Sequence, residues 1–412
     1  MILQGHGVLP GNSRLPANST EGVRMTTRFF STRASLLGAV FALGLAPACA
    51  RFQSPTVNAE PSLRKAVHGR FLIGTAVMSK QLDDPRLAHL VATQFNCITG
   101  ENEFKPAVTE PHPGQFNFAP ADRIVSFARK HGMKVVGHNL CWHSQTPKWM
   151  YEDADGGPLP REAALANLKR HIDAVAGHFR GQVIGWDVVN EAISDEPGGY
   201  LRDSPAKRAI GDDYIVQAFR YAHAADPRAE LYYNDYGNEN TDKLLKTLWL
   251  IRDLQKAGIP LTAVGIQSHF SLSNPEAIGR LDSAISAYDA AGVKVMLTEL
   301  DVEVLPRVTP GADVNATQEH GLDSYSQGLP EEVAREQADF YERVFRVVLK
   351  HPGVVTRITL WGTHDGTSWL NDWPVRGRTN YPLLWDRQLT PKPAFYAVIQ
   401  ALTQPLQVAS HK

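Results

Sequence analysis

Eight short apolar runs rich in β-branched residues recur along the chain, and the stretches between them keep a different hydrophobic period. The runs are residues 70–77, 94–100, 134–140, 182–189, 230–235, 263–267, 293–297 and 355–361. Apolar along their whole length, they read as strands covered on both faces. Between them, Leu165, Leu168, Ile172, Val175 and Phe179 step by three and four, as do Leu244, Leu248, Ile251 and Leu254. Such spacing lines one face of a helix. Gly258 and Gly292 supply helix stops, Asn274 followed by Pro275 supplies a helix start, and a further helix begins near Pro330. Strict alternation of strand and helix predicts a parallel sheet. Eight strands favour its closure over an open doubly wound sheet. No glycine-rich phosphate loop follows the first run, which argues against a nucleotide-binding fold. The expected fold is a single α/β domain, a (β/α)8 barrel (TIM barrel) over residues 67–405. Residues 306–327 read either as an elaborated functional loop after the seventh strand or as a disordered insertion.

The first 50 residues read as a leader rather than as part of this domain. Arg28 and Arg33 precede an apolar stretch, residues 34–46, and Ala48-Cys49-Ala50 follows as a small-x-small cleavage site. That order is that of an export signal, with Met25 as an alternative start, and the apolar stretch is too short to span a bilayer. Residues 51–66 form a lead-in. Secretion or export to the periplasm is expected; a lipid anchor at Cys49 is a weaker reading, because Pro47 fits poorly there. Only Cys97 and Cys141 would then remain, expected as free, inert thiols on separate strands. The chain has 42 basic and 43 acidic residues and a formal charge of −1. With no basic stripe, nucleic acid is not an expected partner.

Two predicted strands lead into glutamates, Glu191 after the fourth run and Glu299 after the seventh. The carboxyl ends of barrel strands form one face, where residues distant in sequence converge. One carboxylate there serves a salt bridge as readily as a reaction. A facing pair is what a glycosidase needs: one protonates the leaving oxygen and the other attacks the anomeric carbon. The other strand ends carry amides, histidines and aromatics. These are Glu101, Asn102 and Lys105 after the second, His138, Trp142, His143, Gln145 and Trp149 on and after the third, and Asn234, Asp235 and Tyr236 at the fifth. Gln267 and His269 follow the sixth, Asp301 the seventh, and Trp361, His364 and Trp369 the eighth. Sugar hydroxyls need fixed hydrogen bonds, and sugar C–H faces lie well on flat rings.

With the motifs Trp186-Asp187-Val188-Val189-Asn190-Glu191 and Leu297-Thr298-Glu299-Leu300-Asp301, the chain resembles glycoside hydrolase family 10, the endo-β-1,4-xylanases. The likeness runs from about Gly74 to Phe395. It implies a (β/α)8 barrel and a retaining, endo-acting hydrolase that binds xylan and xylo-oligosaccharides. By position, Glu191 resembles the family's acid/base and Glu299 its nucleophile. Asn190 resembles the asparagine that holds the sugar's 2-hydroxyl, and His269 with Asp301 a pair that orients the nucleophile. Glu101, Asn102, Lys105, His138, Trp142 and Gln145 resemble residues that bind sugar on the non-reducing side of the cut. Gln267 and Tyr236 line the same cleft, Tyr236 toward the leaving group. Trp361 and Trp369 resemble an aromatic roof. Departures are Pro106, Asn139, Cys141 and His364, the last bearing on fine specificity. Trp142 and Trp149 also read as core residues, and His143 as an orienting residue. His171, His223 and His351 are expected to be solvated. No cofactor is expected, and no metal-binding spacing such as His-Glu-x-x-His occurs. A monomer is expected. The other readings are a retaining β-1,4-glucanase or mixed xylanase/cellulase on the same barrel, and a non-catalytic carbohydrate-binding protein.

Overall fold

Every one of the eight apolar runs forms a strand, and all of them pair in parallel. The computed structural model describes residues 61–404 apart from 308–310, 319 and 322. The expected leader, with Met25 and Cys49, lies outside the described residues. The strands are β1 (Leu72–Val77), β2 (Cys97–Gly100), β3 (Lys134–Trp142), β4 (Gly185–Asn190), β5 (Glu230–Asp235), β6 (Ala263–Ile266), β7 (His269–Ser271), β8 (Lys294–Glu303) and β9 (Val355–Leu360). β7 was not expected: it is a three-residue strand that pairs with the far end of β8. The barrel therefore runs β1-β2-β3-β4-β5-β6-β8-β9, and β9 returns to β1 through Leu72↔Arg357 and Thr75↔Leu360. A closed parallel sheet leaves no edge unpaired, and the connecting helices cover its outer surface.

The ladder is irregular where it approaches the carboxyl ends. Between β8 and β9 the register moves from Leu297↔Ile358 to Leu300↔Leu360, so β8 holds one extra residue around Glu299. Similar slips fall between His138 and Cys141 on β3 and between Asp187 and Val189 on β4. Bulges of this kind re-aim side chains next to active sites. Inside the barrel the packing leaves little choice. A Cβ on Gly137 would lie 2.1 Å from the ring of Trp186, which is fully buried.

The helix Arg161–His178 buries Ala164, Leu168, Ile172 and Val175. His171 lies on that stripe and is fully buried, contrary to the expectation of a solvated side chain. Its spacing, three after Leu168 and four before Val175, carries it inward. Its Nδ1 lies 3.1 Å from Glu110 Oε2. His351 is half-buried, with Nε2 2.6 Å from Asp282 Oδ1, whereas His223 is exposed as expected. The Asn274–Pro275 helix start is also corrected. The helix spans Ala277–Ala290 with Glu276 before it, and Asn274 Oδ1 accepts from Arg280 Nη2. Gly258 and Gly292, at φ +72° and +80°, do follow helix ends. Cys97 and Cys141 are free and buried. No helix or strand occurs among the described residues between Glu303 and Glu331. No helix among the described residues is long and apolar enough to cross a membrane.

Candidate active site

Asn190 and Asn234 are register partners at the ends of β4 and β5. That pairing lets Asn234 Nδ2 donate to Asn190 Oδ1 at 2.8 Å, and the same amide donates to Glu299 Oε1 at 2.8 Å. Asn190 Nδ2 in turn approaches Glu191 Oε1 at 3.2 Å. Two neighbouring asparagines thus tie together the two glutamates, each presented by a different strand end. Glu191 follows β4 with φ +56°, in the left-handed region that costs a residue with a Cβ about 1–3 kcal/mol. The surroundings hold it there: its amide donates to Asn234 O, and its carbonyl accepts from Arg202 Nε at 3.0 Å.

The two carboxyls have different surroundings. Glu191 is buried, its Oε2 accepting from Trp142 Nε1 at 2.8 Å and its Oε1 from Gln267 Nε2 at 2.9 Å. Burial pushes this carboxyl up to about 7, helped by the negative charge of Asp235 and, less, of Glu299; the two hydrogen bonds pull the other way. Glu299 is buried too, which alone would raise it. The hydrogen bond from His269, the fields of His138 and His269, and the Asn234 bond outweigh burial and hold it below the usual carboxylate range. His269 Nε2 lies 3.3 Å from Glu299 Oε2 and its Nδ1 3.0 Å from Asp301 Oδ2. Burial works against charging this imidazole, but Asp301 and Glu299 raise it to about 9, so both ring nitrogens donate at neutral pH. Asp301 Oδ2 also accepts from Trp369 Nε1 at 2.9 Å, which fixes that ring beside His269. At neutral pH one carboxyl is poised to give a proton and the other is ionised, a pair whose protonation states are divided by their environments.

The remaining expected residues fall into three groups. Lys105, His138, Trp142, Asn190, Gln267, His269, Trp361 and Trp369 line one pocket with the two glutamates. Within it, Lys105 Nζ sits over the Trp142 ring, and His138 Nδ1 pairs with Asp187 Oδ2 at 2.9 Å. Tyr236 lines the adjoining recess, whose wall also includes His269. Glu101, Asn102 and Gln145 do not line that pocket. Asn102 accepts from Lys105 Nζ at 3.0 Å, burial pushes Glu101 up to about 7, and Gln145 is exposed. Trp149 is half-buried and packs against the core: its Nε1 donates to Pro111 O, and Arg170 lies over its ring. His143 Nδ1 lies 3.9 Å from Glu191 Oε2, and burial holds its pKa down at about 4, so it is neutral there. His364 accepts from Gly366 N. Ala312 and Val314, from the segment after β8, also line the pocket, so part of the expected loop belongs to the site. From sequence, Asn234 stands out only as a strand-end amide and Asp187 only within a motif, neither with a role at the site, and Arg202 does not stand out at all. Among the described residues no cluster of His, Cys, Asp and Glu could hold a metal ion.

The model for Glycosyl hydrolase family 10 matches residues 62–401. The chain is 40% identical over 347 residues to Endo-1,4-beta-xylanase A of Xylanibacter ruminicola, covering 83% of this chain and 93% of that protein. It is 39% identical over 340 residues to Beta-1,4-xylanase of Dictyoglomus thermophilum, covering 82% and 91%. A solved GH10 endoxylanase retrieved from a sugarcane soil metagenome superposes with a TM-score of 0.79 at 40% identity, covering 82% of this chain and 99% of that one.

Proposed function

The chain belongs to glycosyl hydrolase family 10, and from that premise we propose that it cuts internal β-1,4-xylosidic bonds of xylan by double displacement, with Glu191 as acid/base and Glu299 as nucleophile. The observation that carries the division of roles is the contrast between the two buried carboxyls, one raised to about 7 and one held low. Glu299 attacks the anomeric carbon while Glu191 gives its proton to the leaving oxygen. Esterification of Glu299 removes its negative charge, so Glu191 becomes more acidic and takes a proton from the incoming water. Asn190 bonds the 2-hydroxyl, Asn234 and His269 hold the nucleophile's oxygens, and Asp301 orients His269. Lys105, His138 and Trp142, with Glu101, Asn102 and Gln145, bind the sugar on the non-reducing side. Gln267 lies at the cut and Tyr236 on the leaving-group side. Trp361 and Trp369 roof the reacting sugar, a position where the hydroxymethyl arm of glucose meets a ring and that of xylose is absent.

The expected product is a monomeric enzyme, exported by its leader, with no cofactor. Rates on xylan and on soluble cellulose test the substrate: xylan is expected to be cut faster, and faster cutting of cellulose would replace the reading by a glucanase. Glu191→Ala and Glu299→Ala are each expected to lose nearly all turnover of xylan, and unchanged turnover in both would overturn the mechanism proposed here. Mass spectrometry of the mature N-terminus tests export.

A further inference from the structure

Asp235 is fully buried at the end of β5, and its carboxylate bonds none of the side chains that would meet the sugar. Its hydrogen bonds lead to the acid by two routes. Asp235 Oδ2 accepts the Tyr233 hydroxyl at 2.5 Å. That hydroxyl oxygen accepts from the amides of Ala192 at 3.1 Å and Ile193 at 3.0 Å, the two residues after the left-handed Glu191. On its other side, Asp235 Oδ1 accepts from the Tyr236 amide at 2.9 Å and from Lys243 Nζ at 2.8 Å. Lys243, itself buried, reaches Asp195 Oδ1 at 3.0 Å and lies 3.9 Å from the centre of the Tyr236 ring. Arg202 closes the loop: it bonds Glu191 O, the Tyr236 hydroxyl at 2.7 Å and Asp195 Oδ2 at 2.8 Å. A buried carboxylate with one ammonium partner is costly unless its lone pairs are filled, and here they are.

We propose that Asp235 is a positioning residue for the acid: through Tyr233 it holds the strained backbone of Glu191, and its buried charge acts on the Glu191 carboxyl through space. The proposal deepens the reading of Glu191 as acid/base and rests on it. Other groups also act on the Glu191 carboxyl. Trp142 and His143 approach from β3 and the segment after it, Asn190 from β4, Gln267 from the end of β6 and Glu299 from β8. Trp142 and Gln267 stabilise the ionised form, and Glu299 stabilises the protonated form less than Asp235 does. Asp235 acts on the acid alongside Glu299, and the reaction never consumes its charge. When Glu299 becomes an ester, the Asp235 charge remains and limits how acidic Glu191 becomes in the second half of the cycle.

The test is Asp235→Asn, which keeps an acceptor for Tyr233 and removes the charge. The alkaline limb of kcat/KM on xylo-oligosaccharides is expected to move toward acid by roughly one pH unit, with the acidic limb in place. A merely structural role would lower activity without moving the limb. An active variant with an unmoved alkaline limb would overturn the proposal and leave Glu191 as the acid; failure of that reading would appear instead as an alkaline limb unchanged in Glu191→Gln. Tyr233→Phe gives an independent readout should Asp235→Asn not fold. It cuts the bridge to Ala192 and Ile193, so kcat is expected to fall about tenfold on xylo-oligosaccharides and little on an aryl xyloside whose leaving group needs no proton. Equal losses on both substrates, or none on either, would overturn the positioning role.

Discussion

Trp142 Nε1 donates a 2.8 Å hydrogen bond to Glu191 Oε2. The same indole carries Lys105 on its face, 5.0 Å from the ring centre. One side chain thus forms part of the pocket wall and stabilises the ionised form of Glu191. In Trp142→Phe the donor is lost while most of the ring remains. The Glu191 carboxyl should rise further above about 7. The alkaline limb of kcat/KM should then move upward by roughly half a unit to one unit, while the rate at the optimum falls. A limb that stays or moves downward would show that the bond does not tune the acid.

His269 is expected to set the acidic limb. Its charged ring bonds Glu299 and Asp301 and helps hold Glu299 low. Replacing it with Asn removes that charge, so Glu299 should protonate at higher pH. The acidic limb should move up by roughly one to two units. Stability follows the opposite sense. The folded pKa of His269, about 9, lies above the ordinary value of 6.5. Its contribution is therefore fully present below about pH 6.5 and is lost as pH rises through 9. Thermal unfolding of the native chain should weaken across that window more than in His269→Asn; parallel curves would contradict the assignment.

Outside the pocket lining, Glu110 offers a stability test. Its carboxyl is buried, accepting from Arg170 Nε at 3.1 Å and Gly114 N at 2.8 Å, with His171 Nδ1 at 3.1 Å. Burial alone would raise it, yet these partners hold it below the usual range. His171→Leu leaves that charge without a main partner and should destabilise the fold by about 3 kcal/mol, measured as a lower urea midpoint. Xylan turnover at low temperature should be unchanged. A loss under about 0.5 kcal/mol, the size typical of an exposed position, would place His171 where the sequence suggested.

The barrel was legible because its signal is repeated. Eight apolar runs at short spacing, each followed by a helical period, leave few alternatives. The two glutamates were legible for the same reason, since a carboxylate at a buried strand end has no packing role. What escaped the sequence depends on register and on second partners. Nothing in the spacing says that Asn190 and Asn234 lie side by side, because that depends on a bulge in β4. Asp235 reads as one more strand-end acid until its bonds to Tyr233 and Lys243 are seen. His171 was misplaced because a histidine on a helix is usually polar surface, whereas here a buried carboxylate from another segment meets it. The short strand β7 has no apolar run of its own; it exists because β8 extends past Glu299 and offers it a partner.

Azide rescue of the two alanine variants tests the assignment of roles most directly. In Glu191→Ala the glycosyl-enzyme still forms on Glu299, and azide enters where water would, so a β-glycosyl azide is expected from an activated xyloside. In Glu299→Ala azide enters the vacated space on the other face and should give the α product. Those two products are the result this account predicts; the reverse pair, α from Glu191→Ala and β from Glu299→Ala, would contradict it.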